Sequence, residues 1–218
     1  MKLCTIIGMG PGMGLAIARR FAQGGYTIAM LARKAETLEQ AGSSLAVEGW
    51  LAHGYSADAG DAGKLTSVLE AVHAQHGNSH VLVYNAAIMR PAKPGQLTAE
   101  RLAEEFRVNV GGALTAAQLI SRQMKAEGGG TILFTGGGFA LDPDPDWCAL
   151  GIGKAGLRNL AFGLYRELAP QGIHVATVTI CGHVGSSPEL AASRIAEAYW
   201  DLHQDSRGSF RPELQYRG

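Results

Sequence analysis

The architecture is set by seven residues near the start of the chain, Gly8-Met9-Gly10-Pro11-Gly12-Met13-Gly14. An apolar run with strand-like composition, residues 3–7, precedes them, and residues 15–22 have the apolar spacing of a helix. A strand, a glycine turn and a helix N-terminus in this order let the backbone approach a pyrophosphate, because free N–H groups and the helix dipole attract anions. A tight turn without a ligand is the alternative, and the flanking strand and helix favour the binding site.

The rest of the chain alternates short β-rich apolar runs with longer stretches of helical periodicity. Strands are predicted at residues 3–8, 27–31, 50–55, 80–85, 131–135, 174–180 and 210–216. Helices are predicted at residues 12–23, 35–47, 61–76, 98–109, 113–125, 153–168 and 188–203. This alternation predicts βαβ units around a parallel sheet covered on both faces, and no break in composition divides residues 1–218 into more than one domain.

The composition is that of a globular chain with balanced charge. Of 218 residues, 46% are hydrophobic and 17% are charged, which supplies a well-buried core and excludes a disordered chain. Lys plus Arg and Asp plus Glu number 19 each, so no overall field attracts nucleic acid or an anionic membrane. We expect a small-molecule partner, with no nucleic acid and no membrane.

The cysteines and the N-terminal residues indicate a cytoplasmic protein. Cys4, Cys148 and Cys181 are far apart and form no CxxC pair, as expected for free thiols in a reducing compartment. The apolar run at residues 3–7 is too short for an export signal or a transmembrane helix.

The residues after the second predicted strand favour NADP(H) over NAD(H). A site for NAD normally has an acidic residue about 20 positions beyond the first glycines, which binds the ribose 2′-hydroxyl. Ala32 stands at that place, and the cations of Arg33 and Lys34 after it would neutralise a 2′-phosphate. A solvated basic helix start is the alternative interpretation of this pair.

Further short motifs follow in chain order. They are Asp58-Ala59, Asn85-Ala86-Ala87, Asn109 within Val108-Asn109-Val110, Gly153-Lys154-Ala155, and Cys181-Gly182-His183-Val184-Gly185-Ser186. Together with the glycine spacing, they resemble the short-chain dehydrogenase/reductase family from the first strand to about Ser186. Ile7 replaces the threonine of the family's TGxxxGxG motif, while Tyr84 and Ala87 replace the first and last residues of its NNAG motif.

The resemblance implies a fold and a set of site residues. The fold is a Rossmann-type doubly wound α/β sandwich with a mainly parallel seven-stranded sheet in the order 3-2-1-4-5-6-7. Asn109 and Lys154 match the family's catalytic asparagine and lysine. With the basic pair included, the expected cofactor-binding residues are Gly8, Gly10, Gly12, Met13, Gly14, Arg33, Lys34, Asp58, Ala59, Asn85, Ala86, Ala87, Lys154, Gly182, Val184 and Ser186.

Two catalytic positions depart from the family pattern. The family's proton-donating tyrosine stands four residues before the lysine, where this chain has Leu150, and the carbonyl-orienting serine is replaced by Gly137. Neither residue can hydrogen-bond through its side chain. A positioned general acid contributes typically about 10²–10⁴-fold, so ordinary carbonyl reduction should be badly impaired.

Three functional classes remain open. The chain is either an NADP(H)-dependent reductase with altered proton delivery, an inactive NADP(H)-binding sensor or partner subunit, or an enzyme of another reaction type that uses the same pocket. By their location, the candidate substitute proton donors are the loop residues Asp142, Asp144, Asp146, Trp147 and Cys148, together with His183. For each of them, an ordinary loop residue is the alternative interpretation.

A metal site is not expected. The aspartate loop lacks the glycine and distal glutamate of a calcium loop. His73, His76 and His80 have a spacing that a metal site could use, but they lie between the end of a helix and the fourth strand, on the side of the sheet opposite the ligand crevice. Cys181 is expected to pack as a small apolar residue rather than to act as a nucleophile.

Two expectations concern surfaces. The helix at 153–168 carries Leu157, Leu160, Ala161, Leu164, Tyr165 and Leu168, more apolar residues than one sheet face covers, and this favours a homodimer or homotetramer. Coverage by neighbouring helices is the alternative. Only residues 185–187 separate the last crossover turn from the next predicted helix, so an open substrate pocket without a long lid is expected.

Overall fold

A single sheet of seven strands lies at the centre of the molecule, and every strand pairing is parallel. The computed structural model describes residues 2–218. The strands are β1 (Lys2–Ile7), β2 (Tyr26–Ala32), β3 (Ala52–Ser56), β4 (Val81–Tyr84), β5 (Gly130–Gly137), β6 (Ile173–Ile180) and β7 (Glu213–Tyr216). Their spatial order β3-β2-β1-β4-β5-β6-β7 confirms the predicted doubly wound fold and its strand order.

Helices cover both faces of the sheet, which is why its strands are nearly continuous apolar runs. The helices are α1 (Met13–Gln23), α2 (Ala35–Val47), α3 (Ala62–His76), α4 (Ala99–Phe106), α5 (Gly112–Ala126), α6 (Cys148–Leu168) and α7 (Ala192–His203). One buried cluster joins α1, α2 and α7 to one face, and a second joins α3, α5 and α6 to the other. No helix within residues 2–218 is long and apolar enough to cross a membrane.

Several predicted boundaries are wrong, most clearly around α4 and α6. The helices predicted at 98–109 and 113–125 form one continuous rod, because a π turn at Arg107–Gly111 joins α4 to α5. Helix α6 begins at Cys148 rather than at residue 153, since Gly151 and Gly153 are buried helix residues instead of helix breakers. Helix α7 begins at Ala192 rather than at residue 188.

The apolar residues of α6 are mostly used inside the chain. Leu157, Ala161, Leu164 and Leu168 are at most 8% exposed, and Leu160 and Tyr165 pack partly buried against the same core. The expectation that these residues leave a surplus apolar face is therefore wrong, because neighbouring elements cover them. Larger exposed apolar side chains near α6 are Phe106, Leu114 and Ile152.

The carboxyl ends of β1, β2, β4, β5 and β6 meet at one edge of the sheet. The chain crosses over between β1 and β4, where the strand order reverses. In open α/β sheets this point forms a crevice in which ligands bind. The glycine turn and the segments that follow β4, β5 and β6 surround it.

Candidate functional site

The glycine turn between β1 and α1 depends on two glycines for its internal packing. Gly8 has φ +95°, and a Cβ on it would lie 2.3 Å from the backbone nitrogen of Ala86. A Cβ on Gly14 would lie 3.0 Å from the carbonyl oxygen of Gly8. Larger residues at positions 8 and 14 would therefore push the turn away from β4 and from the first turn of α1.

Gly10 and Gly12 leave open space instead. A Cβ on either residue would meet no heavy atom within 4 Å. Gly12 also stands at the N-terminus of α1, which no side chain caps among the residues the structure describes. The backbone here is exposed to the crevice and presents N–H groups at the positive end of a helix dipole, so it fits an anionic group such as a pyrophosphate.

The basic pair directly follows β2, at the edge of the sheet that forms the crevice. Arg33 and Lys34 are exposed, and within residues 2–218 neither cationic group forms an ion pair or a hydrogen bond. The Ser56 hydroxyl donates a 3.1 Å hydrogen bond to the carbonyl of Arg33, which fixes the backbone of the pair but not its side chains. Both cations are free to meet an anion.

Asp58 and Ala59 follow β3 on the neighbouring part of the edge. One carboxylate oxygen of Asp58 accepts a 2.8 Å hydrogen bond from the backbone N–H of Gly60, so the aspartate closes its own turn. Ala59 is 8% exposed and packs in the core, while Asp58 is exposed. The turn therefore presents one polar and one apolar surface side by side.

Asn85 links the glycine turn to β5. Its side-chain N–H donates to the carbonyl of Gly8 at 2.8 Å, and its side-chain oxygen accepts a 2.8 Å hydrogen bond from the hydroxyl of Thr135. The Thr135 hydroxyl in turn accepts a 2.7 Å hydrogen bond from Tyr199 on α7. Sequence reasoning singled out Asn85 but missed Thr135 and Tyr199, since nothing in the local pattern connects them.

Lys154 is buried at the same edge. Only 8% of it is exposed, and its ammonium donates a 2.6 Å hydrogen bond to the carbonyl of Thr135. Burial removes water from the charged form and lowers the pKa of Lys154 to about 8. The structure therefore places the predicted lysine next to the hydrogen bonds of Asn85. Its ammonium group loses its proton at a pH close to neutral.

Asn109 sits inside the π turn that joins α4 to α5. Its side-chain oxygen accepts a 2.7 Å hydrogen bond from the backbone N–H of Ile88, and its side-chain N–H donates to the Ile88 carbonyl at 3.4 Å. A Cβ on Gly153 would lie 2.8 Å from the Asn109 side-chain nitrogen. The glycine before Lys154 is therefore what lets α6 approach Asn109.

Tyr84 is a residue of the site whose role sequence reasoning missed. Its hydroxyl donates to the carbonyl of Val108, in the π turn beside Asn109. A π turn shifts the helix hydrogen-bond register and leaves carbonyls in need of partners. A tyrosine inside an otherwise apolar buried strand was the available signal, because its hydroxyl must find a partner there.

Leu150 and Gly137, the two positions predicted to depart from the family's catalytic pattern, lie beside Lys154. Leu150 is 6% exposed and stands one helical turn before the lysine, on the same face of α6. A Cβ on Gly137 would lie 3.4 Å from the Cγ of Lys154. The structure thus places both residues next to the lysine, and neither has a side-chain proton to donate.

The aspartate loop is tied to the segment after β4. Asp144 accepts a 2.8 Å hydrogen bond from the backbone N–H of Asp146, and Asp146 lies 3.6 Å from the ammonium of Lys93. The Ala92 N–H donates to the carbonyl of Asp146 at 2.8 Å. These contacts join the segments that follow β4 and β5 along one side of the crevice.

The turn after β6 is short and closed on itself. The Ser186 hydroxyl donates to the carbonyl of His183 at 2.7 Å, and the Gly185 N–H donates to the carbonyl of Leu190 at 2.8 Å. A Cβ on Gly182 would lie 2.6 Å from a methyl of Leu190. The His183 ring is exposed and, within the described residues, forms no hydrogen bond.

The histidines of α3 lie away from this edge. His80 precedes β4 at the opposite end of the strand, and its ring accepts a 3.2 Å hydrogen bond from the Leu3 N–H. The His76 ring centroid lies 4.3 Å from that of His53 with the rings tilted by 31°, and its Nε2 hydrogen-bonds with the Tyr55 hydroxyl at 2.6 Å. Within residues 2–218, no three His, Cys, Asp or Glu side chains are grouped to hold a metal ion.

The sequence of this chain matches that of a known protein family. The chain matches the family model described as short chain dehydrogenase over residues 2–192. It belongs to the short-chain dehydrogenase family, whose members are oxidoreductases that bind nicotinamide cofactors.

Curated relatives and solved structures agree with that membership. D-threitol dehydrogenase of Mycolicibacterium smegmatis is 26% identical over 92% of this chain and 74% of its own length. The 2,3-dihydro-2,3-dihydroxybenzoate dehydrogenase of Bacillus subtilis is 29% identical over 95% of this chain and 76% of its own length. A short-chain dehydrogenase from Rhodopseudomonas palustris superposes with a TM-score of 0.90 at 27% identity, covering 100% of this chain and 98% of that one.

Proposed function

We propose that this chain is an NADP(H)-dependent oxidoreductase that transfers hydride to or from a small carbonyl or alcohol substrate, with impaired or rerouted proton delivery. The observation that carries the proposal is the pairing of the open turn at Gly10 and Gly12 with the unpaired cations of Arg33 and Lys34. The turn suits a pyrophosphate, and the cations suit a 2′-phosphate.

The chain's own residues divide the cofactor between them in this proposal. The turn from Gly8 to Gly14, Met13 included, binds the pyrophosphate, and Asp58 with Ala59 borders the adenine. Lys154 binds the ribose hydroxyls of the nicotinamide half. The remaining contacts, to the nicotinamide half and its neighbourhood, fall to Asn85, Ala86, Ala87, Gly182, Val184 and Ser186.

Proton transfer to the substrate is the impaired step of this reaction. The bound nicotinamide would supply the hydride to the carbonyl carbon, and the carbonyl oxygen must then gain a proton. Leu150 and Gly137 cannot give one, while the buried ammonium of Lys154 is held against the Thr135 carbonyl. A general acid is worth about 10²–10⁴-fold in rate, so we expect slow turnover unless His183 or an aspartate of the 142–146 loop supplies the proton.

The second candidate function is a catalytically inactive NADP(H)-binding sensor or partner subunit. It is favoured by the burial of Leu150 at the tyrosine position. An apolar side chain there excludes water and cannot itself donate a proton. Asn109 and Lys154 would then serve cofactor binding and the shape of the site.

The same proposal includes self-association. Phe106, Leu114 and Ile152 are 40%, 38% and 40% exposed, and they belong to the helices α4, α5 and α6 on one side of the molecule. Large apolar side chains exposed on neighbouring helices suit a homodimer or homotetramer interface. Light scattering at micromolar concentration should give at least twice the monomer mass, and Ile152→Asp should lower it; a monomeric unmodified protein would contradict this part.

The deciding experiment is a pair of titrations followed by an assay. NADPH and NADH binding is measured by nucleotide fluorescence, and NADPH oxidation is then followed against a panel of small aldehydes and ketones. Tighter NADPH binding with slow turnover supports the reductase. Tight binding with no turnover supports the inactive binding protein. The proposal fails if neither nucleotide binds.

A further inference from the structure

We propose that Tyr199 is a positioning residue for the cofactor site, acting from α7 through Thr135 on Asn85 and the glycine turn. The proposal rests on the proposed function, since it assumes that the turn at Gly8 binds a nicotinamide nucleotide. Tyr199 itself lies in the core below the crevice and is 0% exposed.

Three hydrogen bonds connect Tyr199 to the turn, and their directions are determined by the groups that take part. The Asn85 N–H must donate to the Gly8 carbonyl, at 2.8 Å, so the other end of the amide is an acceptor. Thr135 therefore uses its only hydroxyl hydrogen toward Asn85, at 2.8 Å. The Tyr199 hydroxyl is left as the donor to Thr135, at 2.7 Å.

Thr135 is also the residue that Lys154 contacts. Its carbonyl accepts the 2.6 Å hydrogen bond from the lysine ammonium, while its hydroxyl faces Tyr199. The end of β5 is thus held by α6 on one face of the sheet and by α7 on the other. A change at Tyr199 acts on the rotamer of Thr135 and, through it, on the orientation of Asn85 against the Gly8 carbonyl.

Packing alone does not account for the hydroxyl. A phenylalanine would fill the same volume in the cluster that joins α1, α2 and α7 to the sheet. Burial raises the pKa of Tyr199 well above its usual range, so the hydroxyl stays a donor at any working pH. A buried donor that points at Thr135 has value because Thr135, in turn, orients the amide beside the glycine turn.

The test compares Tyr199→Phe with Tyr26→Phe. Tyr26 is also buried on the α1 and α7 side, and its hydroxyl bonds His203 at 2.7 Å at the start of β2, away from the crevice. Each variant loses one hydrogen-bonded tyrosine hydroxyl, so a purely structural role predicts similar falls in Tm and the same NADPH affinity for both variants. We expect only Tyr199→Phe to weaken NADPH binding, by about three- to tenfold in Kd, the value of one ordinary hydrogen bond.

Thr135→Val supplies an independent variant that removes the same link from its centre. In that background, Tyr199→Phe should weaken NADPH binding no further, since the two changes interrupt one chain of hydrogen bonds. Hydrogen exchange of residues 8–16 without nucleotide should also rise in Tyr199→Phe and not in Tyr26→Phe.

The possible outcomes distinguish a failure of the proposed function from a failure of the proposed role of Tyr199. If the unmodified chain binds neither NADPH nor NADH, the proposed function falls and the role of Tyr199 falls with it. If the unmodified chain binds NADPH and Tyr199→Phe binds it equally well, the proposed function stands and the role of Tyr199 is overturned. Equal losses of affinity in Tyr199→Phe and Tyr26→Phe would likewise overturn it, because the effect would then follow stability.

Discussion

Gly137 and Lys154 lie side by side at the end of β5, where a Cβ on the glycine would stand 3.4 Å from the Cγ of the lysine. Gly137 has φ −163° and ψ 149°, an extended backbone that any residue adopts. A serine at this position would therefore place a hydroxyl close to the aliphatic part of the lysine side chain without backbone strain. Gly137→Ser is thus a suitable change for testing the site.

Leu150→Tyr combined with Gly137→Ser should restore carbonyl reduction. The tyrosine would stand one turn before Lys154, whose positive charge lowers the pKa of a neighbouring phenol toward the working range. We expect NADPH oxidation with a small ketone to rise by about 10²-fold or more over the parent. Circular dichroism and NADPH titration establish first that the double variant folds and binds, since a larger side chain at buried Leu150 must displace its neighbours.

Leu150→Phe with Gly137→Ser is the matched control. It adds a ring of nearly the same size without the phenolic proton, so its rate should stay near that of the parent. A different proton donor would be indicated if the unmodified protein already turns over NADPH and loses that activity in His183→Ala or Asp146→Ala.

NADPH binding should weaken as pH rises through about 8. The ammonium of Lys154 has its pKa lowered to about 8 by burial, so in the free protein its charge is present at pH 7 and mostly lost at pH 9. The phosphate of the nucleotide is already ionised over this range, because its second pKa is near 6. We expect Kd to increase about three- to tenfold between pH 7 and pH 9 in fluorescence titrations.

Lys154→Met should bind NADPH more weakly at pH 7 and show a nearly flat profile. The slope in the unmodified protein then reports the lysine. A Kd that is constant from pH 7 to pH 10 in the unmodified protein would show that the charge of Lys154 does not contribute to binding.

Arg33→Ala should remove the preference for NADPH over NADH. The guanidinium is free in the structure and would form a charge-assisted contact to the 2′-phosphate, worth about 1.5–3 kcal/mol, or some ten- to hundredfold in Kd. NADH binding should change little, since NADH carries no 2′-phosphate. Calorimetric titration with both nucleotides measures the ratio.

Arg122→Ala is the control for charge alone. Arg122 is an exposed cation on α5, so its loss changes the net charge equally without touching the edge of β2. Equal affinities of the unmodified protein for NADPH and NADH would remove this interpretation of Arg33 altogether.

Stability should fall as pH is lowered from about 6.5 to about 4. The pKa of His203 is lowered to about 4 by burial, with smaller contributions from Lys2 and His174, so the folded state resists a proton that the unfolded state accepts below 6.5. The free energy of unfolding is therefore highest above pH 6.5 and should be lower by about 2 kcal/mol at pH 5. Urea titrations at pH 7.5 and 5 measure the loss.

His203→Gln should reduce this dependence, and His73→Gln, at an exposed position on α3, is the control variant. His174, whose pKa is also lowered chiefly by burial, contributes in the same direction, so some dependence remains in His203→Gln. A pH-independent free energy of unfolding in the unmodified protein would contradict the account.

The local sequence determined the parts of this protein that depend on neighbouring residues. The glycine turn from Gly8 to Gly14, the alternation of strands and helices, and the basic pair at the end of β2 all follow from spacing within a few residues. The strand order was predicted from the resemblance to a family, and the same resemblance implies a tyrosine and a serine at the positions of Leu150 and Gly137.

Only the tertiary structure decided how the site is held together. Tyr199 and Thr135 are 64 positions apart, and Asn85 and Gly8 are 77 apart, so no local period relates them. The π turn at Asn109 and the start of α6 at Cys148 could not be predicted from the local sequence for a related reason. Hydrogen-bond register and the close approach of glycines such as Gly153 depend on which element packs opposite, and that is fixed when the sheet and its two helical layers come together.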